Sequence, residues 1–159
     1  MSRPFRRITP FLWFDTQAEE AANFYTSIFP NSRITSVTHY TKESSDASGR
    51  PHGSVMTVNF ELDGEPLTAL NGGPTFKFNE ALSLVVYCKD QAEIDCFWEK
   101  LSAGGDPKAQ ACGWLKDRYG LSWQICPEDI DELAKSPKAM AALMHMTKLD
   151  IAALKAAAK

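Results

Sequence analysis

ITPFLWFDTQAEEAANFY, residues 8–25, decides the fold, because its order of elements returns 74 residues further along the chain. The apolar, strand-like run at 8–14 has its counterpart in LSLVVYC at 82–88, and Gln-Ala-Glu at 17–19 recurs at 91–93. An aromatic pair follows each time, Phe24-Tyr25 and then Phe97-Trp98. A repeat of this period points to two modules of one supersecondary type.

Working outward, Ala18, Ala21, Ala22, Tyr25, Ile28 and Phe29 fall on one face at helical spacing. The second helix is predicted to bury Ala92, Cys96, Trp98 and Leu101, with Gly104-Gly105 as its stop. Three strands are predicted after the first helix, at 33–41, 54–62 and 65–71. Asp63-Gly64 joins the last two, a hairpin signal because both turn positions need positive φ. After the second helix the strand signals shorten to 110–118 and 121–126, with a turn at Tyr119-Gly120. The pattern is β-α-β-β-β twice, the second copy clipped.

The polar stretch 42–53 (KESSDASGRPHG) reads as a mobile hairpin loop. Beyond Pro127 the periodicity turns helical, with Ser136-Pro137 as cap and first helical position. Met140, Leu143, Met144 and Leu149 form the expected apolar stripe, and Asp150 the cap of a last Ala-rich helix. The whole chain, 1–159, reads as one α+β domain: module one at 6–74, module two at 80–127 and a helical tail at 128–159.

Composition excludes more than it proposes. The chain has 159 residues, 17 Lys plus Arg against 20 Asp plus Glu, and a net charge of −3. No basic run beyond the short start at 1–7 suggests nucleic acid. No stretch approaches the roughly 20 apolar residues of a membrane span. The four cysteines, at 88, 96, 112 and 126, include no C-x-x-C pair and fit reduced thiols in the cytoplasm.

Five segments resemble the PhnB-like branch of the vicinal oxygen chelate superfamily, which includes glyoxalase I, bleomycin-resistance proteins and extradiol dioxygenases. They are 8–25, SVMTVNFELDGEPLTALNGG at 54–73, FKFNEALS at 76–83, CGWLKD at 112–117 and GLSWQIC at 120–126. The resemblance implies paired βαβββ modules in a curved, mixed, mostly antiparallel sheet with flanking helices around a small-molecule pocket, in a homodimer. Branch members are labelled 3-demethylubiquinone-9 3-methyltransferase-like. This chain, however, has no strand–GxGxxG–helix unit to cradle a nucleotide-type cofactor.

The superfamily's enzymes hold a divalent metal with His or Gln and Glu side chains. Carried onto this chain, the His places fall at Thr9 and Ser83 and the second-module Glu place at Gln124. Over 66–71 the first module's last strand has no carboxylate, and Asn71 is the further candidate there. Hydroxyls and amides neither balance an ion's charge nor match imidazole, so no metal site of the superfamily type is expected. His39 and His52, with Glu43 or Asp46, form the nearest alternative cluster and read as exposed loop residues; His145 reads as a helical surface residue.

For nucleophilic or acid–base chemistry the candidates are Cys112, with Lys116 close in sequence, and Asp117, which could equally fix the turn before Gly120. Cys88, Cys96 and Cys126 read as core. Strand alternation puts Trp13 on the face of Thr9, Tyr87 on that of Ser83, and Cys126 on that of Gln124. With Trp114 and Asn71 these form an aromatic lining with a few hydrogen-bonding groups, suited to a planar or apolar organic molecule. The preferred reading is a cytoplasmic homodimer binding a small molecule, with no cofactor, nucleic acid or membrane partner. Its rivals are a metal-dependent lyase, isomerase or dioxygenase, and a resistance-type protein that sequesters its ligand.

Overall fold

Alternating strands and amphipathic helices divide the chain into two compact units, Met1–Lys77 and Phe78–Lys159. The computed structural model describes residues 6–159; residues 1–5, the start of the basic N-terminal stretch, lie outside the described residues.

In the first unit β1 (Phe11–Phe14), α1 (Ala18–Ile28), β2 (Arg33–His39), α2 (Lys42–Ser48), β3 (Val55–Leu62) and β4 (Glu65–Asn71) follow in order. The strands form one sheet in the order β1-β4-β3-β2, with β1 parallel to β4 and the other pairs antiparallel. Asp63 (φ 48°) and Gly64 (φ 82°) make the β3–β4 turn, as their residue types predict. The buried face carries Leu12, Phe14, Val58, Phe60 and Ala69, and α1 buries Ala18, Ala21, Ala22, Tyr25 and Ile28. Tyr25 stacks over Phe60 with ring centroids 6.3 Å apart. The predicted mobile loop at 42–53 instead contains α2. Thr41 and Ser44 cap its start reciprocally, and Gly49 in the left-handed region (φ 73°) ends it.

The second unit runs β5 (Ser83–Cys88), α3 (Gln91–Ser102), β6 (Trp114–Lys116), β7 (Ser122–Pro127), α4 (Ile130–Leu133), α5 (Pro137–Leu143) and α6 (Ile151–Ala158). Its sheet has the order β5-β7-β6, parallel between β5 and β7 and antiparallel between β6 and β7. This is the clipped copy of the first unit's pattern. The predicted strand at 110–118 shrinks because Cys112 (φ 55°) and Gly113 (φ 83°) form a tight turn between bridged Ala111 and Trp114. Two successive positive φ angles are the signature of a type I′ turn.

Two helical expectations need correction. In α3 the buried residues are Ile94 and Leu101, whereas Ala92 and Cys96 are exposed. Ile94 lies two positions from each, about 200° around the helix, so the two sets cannot share a face. In the tail Met144 is 63% exposed, and the apolar cluster is built from Cys126, Leu133, Leu143, Leu149 and Leu154. The predicted caps hold: Ser136 Oγ accepts from Ala139 N at 3.2 Å and Asp150 Oδ1 from Ala153 N at 2.9 Å.

Backbone bonds fasten the tail to its unit. Cys112 N donates to Met146 O at 2.8 Å and Gly113 N to Thr147 O at 2.9 Å. Gln91 clasps the start of α6, its Nε2 donating to Leu149 O (3.0 Å) and its Oε1 accepting from Ile151 N (2.9 Å). No helix among the described residues is long and apolar enough to cross a membrane.

Candidate functional site

Each sheet has a second face, opposite the one that α1 or α3 covers, on which large apolar side chains stay exposed. In the first unit alternation places Phe11 and Trp13 of β1 on it with Thr68 of β4, Asn59 and Thr57 of β3, and Ser36 and Thr38 of β2. The polar side chains bind one another across the strands. Thr68 Oγ1 donates to Asn59 Oδ1 (2.6 Å), Asn59 Nδ2 to Ser36 Oγ (2.9 Å), and the Thr38 and Thr57 hydroxyls meet at 2.5 Å. Phe11 is 59% exposed, and Thr9, just before β1, is exposed too. Trp13 is held more firmly. Its Nε1 donates to Gly73 O at 2.9 Å and Phe76 meets its ring edge-on at 4.9 Å. A Cβ on Gly72 would lie 2.2 Å from that ring, so only glycine lets the indole settle there.

Asn71 does not belong to this face. By alternation it shares the helix-covered side with Leu67 and Ala69, and its amide is committed to the fold: Oδ1 accepts from Ala18 N at 2.8 Å and Nδ2 donates to Val55 O at 3.1 Å. It caps α1 from another strand, which Gln17, with no side-chain cap bond, does not do. The residue that occupies the place of Gln124 is Thr68, which the sequence reading missed. Phe11 pairs with Thr68, and Val85, 74 residues after Phe11, pairs with Gln124. Register between strands carries this signal, and counting along one strand does not.

In the second unit the corresponding face brings Ser83 and Gln124 together, with Gln124 Nε2 donating to Ser83 Oγ at 2.9 Å. Val85 and Trp114 are the strand partners of Gln124 on either side, and Tyr87, 59% exposed, lies beyond Val85. Ser122 lies between Ser83 and Lys116 in the sheet register, and its hydroxyl is buried with no hydrogen-bond partner among the described residues. Lys116 turns to Glu80 in an ion pair, not to Cys112.

The remaining candidates have structural employment. Asp117 is 2% exposed; its Oδ1 accepts from Tyr119 N (2.8 Å) and Leu121 N (3.1 Å) and its Oδ2 from Trp123 Nε1 (2.8 Å). It fixes the β6–β7 turn and anchors a buried indole. Cys112 packs against the tail cluster, its Sγ donating to Met144 O at 3.5 Å. Neither thiol nor carboxylate is presented as a free reactive group.

The cysteines are all free. Burial, with the nearby carboxylates of Glu93 and Asp90 and the Cys126 thiol adding to it, pushes Cys88 up to about 12. Burial, helped by Asp131, pushes Cys126 up to about 11. At pH 8 each is then a thiolate in at most about one molecule in a thousand. Iodoacetamide is therefore expected to alkylate Cys96 in the native protein, and Cys88 and Cys126 only after unfolding, as read by peptide mass spectrometry. Because both values are raised, the unfolded chain releases these protons first. The stability they contribute is full below their ordinary value near 9 and declines as pH rises toward 11.

Neither Thr9 and Thr68 in the first unit nor Ser83 and Gln124 in the second offers donor chemistry that fits a divalent ion. None is an imidazole or carboxylate, and the Gln124 amide spends a proton on Ser83. Among the described residues no group of three or more His, Cys, Asp or Glu side chains is placed to hold a metal. His39, His52 and His145 are all exposed.

The family model of 3-demethylubiquinone-9 3-methyltransferase matches residues 6–126. The PhnB protein of Bacillus cereus is 36% identical, covers 76% of this chain and 98% of its own, and superposes with a TM-score of 0.63. A Pseudomonas aeruginosa protein, 20% identical over 77% of this chain and 98% of its own, has a TM-score of 0.58 and shares the fold. No curated protein matches the chain.

Proposed function

Because the chain belongs to the 3-demethylubiquinone-9 3-methyltransferase family, in the PhnB-like branch of the glyoxalase-type fold, we propose that it binds a small organic molecule through neutral hydroxyl and amide groups rather than through a metal ion. The observation that carries this reading is the Ser83–Gln124 pair, set on an open sheet face between Val85 and Trp114. Those two positions are where the resemblance expects metal ligands, and here they form a neutral hydrogen-bonding pair. An apolar surface with a few directional polar groups recognises a planar organic molecule. Phe11, Val85 and Tyr87, large apolar side chains left exposed on the open faces, support the same conclusion. A second copy of the chain is the proposed partner and the cytoplasm the proposed location. Methyl transfer, named by the family description, is not part of the proposal: the chain has no GxGxxG unit, and Cys112 and Asp117 are held in structural roles.

Native mass spectrometry of untagged protein from its own host tests this. A metal-free dimer carrying a non-covalent organic mass is expected, with Gln124→Ala retaining at least about tenfold less of it, a loss of one good hydrogen-bonding group. One stoichiometric divalent ion per chain, lost on Gln124→Ala, would instead establish the metal-dependent enzyme.

A further inference from the structure

On the open face of the second sheet, Ser83, Ser122 and Lys116 are partners in register across β5, β7 and β6. Neighbouring strands lie about 4.8 Å apart, so the three residues form one row. Its polar groups are unequally satisfied. Ser83 Oγ accepts the Gln124 amide proton and keeps its own hydrogen to give. Ser122 is 1% exposed, and its Oγ has no partner among the described residues. Buried hydroxyls in native proteins are almost always paired, so Ser122 offers the row a hydrogen-bonding capacity that no described residue takes up. Lys116 ends the row with a full positive charge, its side chain 25% exposed.

The carboxylate that Lys116 holds in the structure is that of Glu80. It stands three residues before β5 in a turn outside the regular sheet, its side chain 67% exposed, and its carboxylate pairs with Lys116. Lys116, which Glu80 holds, is the register partner of Ser122 across β6 and β7. The Glu80–Lys116 pair is exposed enough to contribute little stability, and the turn that carries Glu80 is bonded locally through Asn79 Oδ1 to Ala81 N at 2.8 Å. Glu80 can therefore leave without dismantling a strand.

We propose that Lys116 is the anchor for a carboxylate, or a comparable oxyanion, of the bound molecule, and that Glu80 occupies this anchor as an internal stand-in until the molecule displaces it. The proposal rests on the ligand-binding reading above and narrows it to anionic molecules. The ligand's oxyanion takes the Lys116 ammonium and the Ser122 and Ser83 hydroxyl protons, three donors aligned for negative charge. Its planar body lies toward Trp114, one rung along beside Gln124.

Titration of the full chain with benzoate and with its neutral isostere benzamide, followed by amide and indole NMR shifts, tests this in the wild type, Glu80→Gln and Lys116→Met. Benzoate is expected to bind Glu80→Gln about tenfold more tightly than wild type, and Lys116→Met at least about tenfold more weakly than Glu80→Gln. Benzamide is expected to show neither change. Equal benzoate affinity in wild type and Glu80→Gln overturns the proposal, and an amide proton spectrum of Glu80→Gln dispersed like that of wild type shows that the exposed substitution has left the fold in place. If benzamide and benzoate bind all three alike, shifting Ser83 and Gln124, the anionic anchor falls while ligand binding stands. If neither probe binds any variant, the anchor also falls, and the retained mass in the native spectrum decides the broader reading separately.

Discussion

Asp117→Ala is expected to destabilise the second unit by about 3–5 kcal/mol, the range found when a buried charge partner is removed. The carboxylate is buried and holds three N–H groups: two backbone amides in the turn and the Trp123 indole. Alanine leaves all three without an acceptor inside a low-dielectric core. Asp117→Asn separates the contributions. Its carbonyl oxygen can keep the two amides now held by Oδ1, while its NH₂ faces the indole donor, so a loss of about 1–3 kcal/mol is expected. Urea unfolding followed by tryptophan fluorescence reads both. Against a total stability of about 5–15 kcal/mol in a typical domain, the alanine variant's loss is a large fraction and moves the unfolding midpoint markedly. An Asp117→Ala protein of undiminished stability that failed to process its ligand would restore the catalytic role that the sequence leaves open.

Gly105→Ala is expected to cost about 3 kcal/mol, near the upper end of the penalty for inserting atoms into close packing. A Cβ at Gly105 would lie 2.1 Å from the backbone carbonyl oxygen of Lys116, and a strand backbone cannot rotate aside as a side chain can. The end of α3 must then separate from β6. Gly120→Ala is the control: its φ of +84° disfavours alanine, yet nothing lies within 4 Å of the added carbon. Only the left-handed backbone penalty of about 1–2 kcal/mol is expected there. Differences in denaturation midpoint at constant m-value distinguish the two. Equal effects at the two glycines would show that close approach to Lys116 carries no energy.

These two sites also mark how much of the molecule can be read from its residues. Asp63-Gly64, the caps Ser136 and Asp150, and the buried stripe of α1 follow from local rules, and local rules are what one sequence expresses. Cys112-Gly113 was missed as a turn because cysteine has no preference for positive φ; the tail carbonyls that fix this turn come from more than thirty residues away. The helix at Lys42–Ser48 was missed because its cap pairs Thr41 with Ser44 rather than with Glu or Gln. At the candidate site Ser83 and Gln124, each placed from its own module's motif, lie on neighbouring parallel strands and share a hydrogen bond one pleat out of register. Asn71 is the polar group expected on the first module's last strand, but the pleat turns it to the helix-covered side, and which side chains face away depends on where β1 meets β4. The pairing of Lys116 with Glu80 joins residues on separate elements, and no spacing rule encodes it.

The fastening of the tail also has a consequence in time. The contacts that shape the first unit, from β1 against β4 to Asn71 beneath α1, close within its own 77 residues. That unit can therefore mature while the rest of the chain is still being translated. The second unit cannot. Its β6–β7 sheet emerges with the Cys112 and Gly113 amides unsatisfied and Cys126 uncovered, and it waits for Met146, Thr147, Leu149 and Ile151 to leave the ribosome. During synthesis from the N-terminal end, the expected order is the first unit and then the second with its tail, which Gln91 clasps.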